Sequence, residues 1–233
     1  MLKRVLAGAL ALAVPFAPVQ AQEKVLRAVM HADVRVIDPV WTTQTIASIH
    51  GMLIYDTLFG SDERGKVQPQ MVDSWQVSQD RLAWTFKLRR GLEWHDGQPV
   101  TAEDVVASLN RWGKRDTMGQ ALYSFIDKVE VRGTDSWSMT FKERCGFVLE
   151  ALGKPNTSVP FIMPRRVAET DPFKQIEDYT GSGPFVFKKD EWKPGEKVVY
   201  VKNAKYKPRT EAPSMLAGGK VAKVDRVEWL AIP

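Results

Sequence analysis

One cysteine, three histidines and no long apolar run set the first limits on this 233-residue chain. The lone Cys145 excludes an internal disulfide, and its simplest reading is a small buried hydrophobe. His31, His50 and His95 are scattered, with no HxH or HExxH spacing, so the pattern assembles no zinc site. No segment reaches the roughly 18 apolar residues of a membrane-crossing helix. Internal repeats and low-complexity tracts are absent. Excess charge is scarce as well: 33 Lys and Arg stand against 28 Asp and Glu, a net +5. Basic pairs such as Arg89-Arg90 and Arg165-Arg166 are isolated and read as solvated faces, which argues against a nucleic-acid partner.

What is present begins with an export pattern. Lys3 and Arg4 form a positive start, Val5 to Val14 are almost all Ala, Leu, Val and Gly, and Pro15 and Pro18 interrupt any helix. Val19-Gln20-Ala21 ends on a small residue, as a signal peptidase site requires, so residues 1–21 are expected to be a cleaved signal and the product periplasmic and soluble. No cysteine lies near that point to carry a lipid. Loss of Lys3 and Arg4 leaves a net charge of about +3. With 44% hydrophobic and 26% charged residues, the remainder has the composition of a packed domain.

Periodicity predicts mixed α and β structure. Val25 to Val29 read as a strand, His31 to Thr43 as a loop, and residues 44–58 as an amphipathic helix carrying Ile46, Ile49, Leu53 and Tyr55 to Leu58. Trp84, Phe86 and Leu88 alternate with polar residues as a half-buried strand, and Asp96-Gly97 reads as a turn. Thr101-Ala102-Glu103-Asp104 resembles a capping box that opens a helix striped by Val105, Val106, Leu109 and Trp112. Further strands are expected at Trp137-Met139-Phe141, Phe185-Phe187 and Val227-Trp229-Ala231. Without a regular βαβ repeat, the class is α/β of a mixed α+β kind.

No catalytic set emerges. His95-Asp96-Gly97 is better explained by its turn, and Glu103-Asp104 by the helix cap. Ser74 and Ser182 lack a nucleophile elbow, since Gly181-Ser182-Gly183-Pro184 is not Gly-x-Ser-x-Gly. A hydrolase would need an activated nucleophile or a poised acid pair, and neither is visible. Neither a metal nor a cofactor is called for.

Two stretches carry a resemblance. Asp73-Ser74-Trp75-Gln76-Val77-Ser78 leads through Trp84 to Leu88 into Trp94-His95-Asp96-Gly97-Gln98-Pro99-Val100-Thr101-Ala102-Glu103-Asp104-Val105-Val106, ending at Ser108 to Arg111. Later come Gly181-Ser182-Gly183-Pro184-Phe185, Trp192 to Glu196 and Asn203 to Tyr206. Together they closely resemble the family 5 extracellular solute-binding proteins, the dipeptide, oligopeptide and nickel-binding group. Trp94 stands where Phe is usual, and Lys205-Tyr206-Lys207 lacks the common Tyr-Trp pair.

The resemblance implies the N-terminal lobe of a type II (cluster C) periplasmic-binding-protein-like, two-lobed fold, with the chain truncated before lobe two. It implies a sheet-bearing part at residues 22–60 and 181–233, with 61–180 as an attached subdomain. It also implies an ABC-importer component for peptides or related small solutes, partnered by permease subunits, monomeric when full length and impaired in binding if cut short. A scaffold used as chaperone, adhesin or signalling receptor, or an exported hydrolase, are the alternatives. By position in the family, Asp33, Trp41, Thr42, Thr43, Met118, Gly119, Asn156, Thr157 and Gly183 are the expected ligand contacts. The other tryptophans sit mostly on alternating strands or helix stripes, where core packing is the default.

Overall fold

A computed structural model describes residues 22–232; the expected signal segment, 1–21, lies outside them. One four-stranded sheet joins both ends of this span. Strand β1 (Val25–Val29) pairs in parallel with β12 (Arg226–Leu230), which pairs antiparallel with β11 (Lys197–Lys202), and β10 (Phe185–Phe187) closes the other edge. Alternation puts Val227 and Trp229 on the same face as Tyr200 and Val198, all buried. Helix α1 (Thr45–Ile54) packs there, and His50 Nδ1 lies 2.8 Å from the Tyr200 hydroxyl. Burial pushes the His50 pKa down to about 3, so the ring is neutral at ordinary pH.

The helix expected over 44–58 stops at Ile54. Tyr55 is extended, and the chain turns into β2 (Asp56–Thr57), which pairs with β9 (Phe161–Ile162), and then β3 (Phe59–Ser61), which pairs with β4 (Val67–Pro69). Apolar spacing continues past Ile54, but tertiary pairing overrides it. The Ile54 carbonyl is taken by the Gly183 amide at 2.9 Å, an approach only a residue without Cβ tolerates, since an added Cβ would meet the Ile54 carbonyl carbon at 2.8 Å.

A second antiparallel sheet has the order β5 (Val72–Val77), β6 (Ala83–Leu88), β8 (Ser136–Phe141), β7 (Ile126–Gly133). Trp84, Phe86 and Leu88 all point inward, and Phe86 stacks on its cross-strand partner Trp137 with centroids 5.2 Å apart. Helix α2 (Ala102–Arg115) lays Val105, Leu109 and Trp112 against this core. Its capping box forms: Thr101 and Asp104 exchange side-chain-to-backbone bonds. Three shorter helices follow, α3 (Thr117–Phe125), α4 (Val148–Leu152) and α5 (Arg165–Ala168). Among the described residues no helix is long and apolar enough to cross a membrane.

The two resemblance motifs meet physically. The His95 amide donates to the Gly181 carbonyl at 2.8 Å. Its ring accepts the Gly181 amide at Nδ1 and contacts the Gly183 carbonyl at Nε2, each at 3.2 Å, which requires the Nε2–H tautomer. Burial lowers the His95 pKa and keeps that tautomer neutral. Asn203 donates to the same Gly183 carbonyl, and Tyr206 reaches the buried Asp56 carboxylate at 3.0 Å. Burial alone would raise the Asp56 pKa, but Lys220 at 2.8 Å and the Arg89 charge hold it below the usual range.

Candidate functional site

The loop between β1 and α1 is fixed by one carboxylate. Asp38 Oδ1 accepts the amides of Val40 and Trp41, both at 3.1 Å, and Arg111 Nη1 at 3.3 Å. Its Oδ2 accepts Arg111 Nη2 at 2.7 Å and the Ile176 amide at 3.1 Å. Both side chains are essentially inaccessible, 0% and 1% exposed, so each charge depends on the other. Arg111 also bonds the Lys174 carbonyl, so the pair ties the 38–41 loop, α2 and residues 174–176 together.

Trp41 is thereby held half-exposed. Its indole N–H donates to the Phe173 carbonyl at 3.1 Å, and its own carbonyl accepts Arg115 Nη2 at 2.5 Å. The Arg115 guanidinium lies 5.6 Å from the Trp41 ring centroid and 5.3 Å from that of Phe173. Thr42 is buried; its carbonyl accepts the Ser158 hydroxyl at 3.3 Å. The Ser158 carbonyl in turn accepts the Trp112 indole at 2.6 Å. Thr157 and Ser158 both adopt the left-handed region, at φ +54° and +51°, unusual for two successive residues with side chains. Asp116 caps α3 through the Gly119 amide at 2.9 Å and binds Lys154 at 2.6 Å, bracing the same loop from its other end.

The nine expected contact residues divide by position. The Ser158 hydroxyl on the Thr42 carbonyl joins the loop of Trp41, Thr42 and Thr43 to that of Asn156 and Thr157, and the Asp116–Lys154 pair ties the start of α3, where Met118 and Gly119 lie, to the second loop. Thr43, Asn156 and Thr157 are exposed, and Met118 is half-buried. Gly119 is buried; an added Cβ would lie 3.0 Å from the Gly113 Cα, so it permits the close approach of α2 and α3. Gly183 is buried at the end of α1, apart from this cluster, with its amide and carbonyl both bonded. Asp33 stands apart too: its carboxylate accepts the Gly195 amide at 2.9 Å and Arg35 at 3.2 Å, closing a turn before β11.

Sequence reasoning missed Asp38, Arg111, Arg115 and Phe173. Arg111 falls off the Val105, Leu109 and Trp112 stripe, on the adjoining face of α2 with the buried Asp104 and Ser108, so apolar periodicity gave no signal for it. Phe173 lies 132 residues from Trp41 in sequence, and no spacing connects them. Among the described residues, no group of three or more His, Cys, Asp or Glu is close enough to hold a metal ion.

Residues 66–233 match the family described as bacterial extracellular solute-binding proteins, family 5 Middle. The probable peptide ABC transporter periplasmic-binding protein y4tO of Sinorhizobium fredii is 42% identical over 209 residues, covering 90% of this chain and 39% of its own length. The probable deoxycholate-binding periplasmic protein YgiS of Escherichia coli is 27% identical over 208 residues, 80% of this chain and 38% of that protein. Among solved structures, MoaA of A. tumefaciens R10 in complex with mannopinic acid has a TM-score of 0.70 at 27% identity, covering 91% of this chain and 41% of MoaA. AppA of Bacillus subtilis, in complex with a nonapeptide, shares the fold with a TM-score of 0.69 at 23% identity and similar coverage, 91% and 41%. The chain thus has the mixed α/β fold of periplasmic binding proteins and spans about two fifths of the length of these relatives.

Proposed function

We propose, from the premise that this chain belongs to the family 5 bacterial extracellular solute-binding proteins, that it serves as the solute-binding component of an ABC importer. In this reading residues 1–21 direct export, the remainder works in the periplasm, and permease subunits receive the solute. The solute is a peptide or a related small molecule, as the name of the Sinorhizobium fredii relative suggests. Residues 22–60 with 181–233 act as the sheet-bearing part of the first lobe, and 61–180 as its attached subdomain. The protein captures its solute and does not transform it.

One observation carries this reading. A half-exposed tryptophan and the exposed polar groups of Thr43, Asn156 and Thr157 are gathered on loops, yet those loops are braced by a buried ion pair, a capped helix and an indole-to-carbonyl bond. Loops held that firmly around exposed aromatic and hydrogen-bonding groups suit recognition, because binding then orders little that is not ordered already. The test is calorimetry on the chain recovered by osmotic shock, titrated with a di- to pentapeptide mixture. Saturable heat that Trp41→Ala removes is expected, with no peptide cleaved. Cleavage of the peptides, or heat unaffected by Trp41→Ala, would overturn the assignment.

A further inference from the structure

We infer that Arg115 is an anion-reading residue, and that the solute this site takes carries a carboxylate group. The inference rests on the solute-binding reading above and deepens it. Most inward-lying arginines of this molecule have an acidic partner: Arg89 faces Asp56, Arg111 binds Asp38, Arg209 binds Glu211 and Arg226 binds Glu191. Arg115 has none among the described residues. Its single hydrogen bond is the one from Nη2 to the Trp41 carbonyl. Nε is buried without a partner, whereas Nη1 is neither bonded nor buried.

Charge around the cluster does not cancel. Lys154 is neutralised by Asp116, and Arg111 by Asp38. Arg115 therefore leaves one uncompensated positive charge beside Trp41. What holds the guanidinium is that carbonyl bond together with two aromatic rings, Trp41 at 5.6 Å and Phe173 at 5.3 Å. Phe173 is otherwise hard to explain, being 65% exposed, and its backbone carbonyl is what anchors the Trp41 indole. A guanidinium braced by rings rather than by a protein carboxylate is preorganised with its outward nitrogen unspent. An incoming carboxylate meets a fixed donor and adds a charge-assisted bond without first displacing an internal partner. A solute of this class would lay its carboxylate at Nη1 and its body across Trp41 toward Thr43 and Asn156.

The test uses the whole 233-residue chain, with nitrogen-15 in its arginine and tryptophan side chains. The probes are N-acetyl-alanyl-alanine with a free carboxylate and the same peptide as its C-terminal amide. The Arg115 Nε–H and Trp41 Nε1–H resonances are expected to move saturably with the acid, and the amide to bind at least tenfold more weakly. Arg115→Gln is expected to make acid and amide equal, and Arg115→Lys to retain a smaller preference for the acid, because lysine keeps the charge but not the flat fork. If Arg115→Gln fails to fold, the acid-against-amide comparison on the unaltered chain decides. Saturable binding that moves Trp41 but ignores the carboxylate would overturn this inference and leave the solute-binding reading standing. Absence of any saturable shift, for either peptide, would count against both.

Discussion

Removing the Asp38 carboxylate is the sharpest perturbation of this molecule. Its two oxygens accept three backbone amides and both ends of the Arg111 fork, with neither side chain reaching solvent. Asp38→Ala leaves the guanidinium buried without its counter-charge, and breaking a pair in this way costs about 3–5 kcal/mol. The lost amide bonds push toward the upper end, at about 1 kcal/mol each, though they are not additive with the charge. Solvent screening gives no relief at 0–1% exposure. Arg111→Met alone should be nearly as damaging, because Asp38 is then the stranded charge. The double variant Asp38→Ala, Arg111→Met should cost far less than the sum of the singles, since no unpaired charge remains. Urea unfolding followed by circular dichroism measures all three. A single-variant loss under about 1 kcal/mol, or singles that simply add in the double, would refute the premise that this pair is closed off from water.

Acid should weaken the fold before its carboxylates titrate. His50 and His95 both have pKa values below the usual 6.5, so between that value and their folded values the unfolded chain binds more protons. Stability is therefore full above about pH 6.5 and falls as pH drops, by up to roughly 1.4 kcal/mol per pH unit for each histidine, with the His50 contribution continuing toward about pH 3. Melting temperatures between pH 7 and 5 should show this decline, shallower in His50→Gln, and a flat profile in the unaltered chain would contradict it. Thr101→Ala should cost about 1 kcal/mol by removing the α2 cap. A urea midpoint that does not move would show that the bond seen between Thr101 and Asp104 carries no stability.

Local pattern was enough to read much of this architecture. The alternation at Trp84, Phe86 and Leu88 produced a strand with all three buried, and Thr101 opened α2 where its hydroxyl and Asp104 said a helix should begin. The β1 boundaries also match. Failures came where distant chain decided the outcome. Tyr55 to Leu58 keep an apolar spacing that suits a helix, yet Thr57 pairs with Phe161, and Gly183 occupies the carbonyl of Ile54. Ala231 continues an alternation but falls just beyond β12. For the candidate site, family position named the loop residues Trp41, Thr43, Asn156 and Thr157 as expected contacts, but it did not name the groups that hold their loops. Asp38 and Arg111 lie 73 residues apart, and a buried pair leaves no periodic trace. The His95 ring shows the same limit: its turn was evident, whereas its hold on Gly181 and Gly183 needed three dimensions.

The parallel pairing of β1 with β12 has a consequence for the order in which this molecule assembles. Arg27 and Glu228 face each other at a sequence separation of 201 residues, joined at 2.8 Å. The β5 to β8 sheet and α2 draw on neighbours close in sequence and can consolidate while synthesis continues. β1 has no such option. At about 5–20 residues per second, its partner leaves the ribosome tens of seconds after it does. Through that interval Val25, Leu26 and Val29 form an unclaimed apolar edge, open to chaperones or to the same segment of another nascent chain. The first strand made is thus among the last to be secured, and Leu26 and Val29 remain partly uncovered, 49% and 59% exposed, even after β12 arrives.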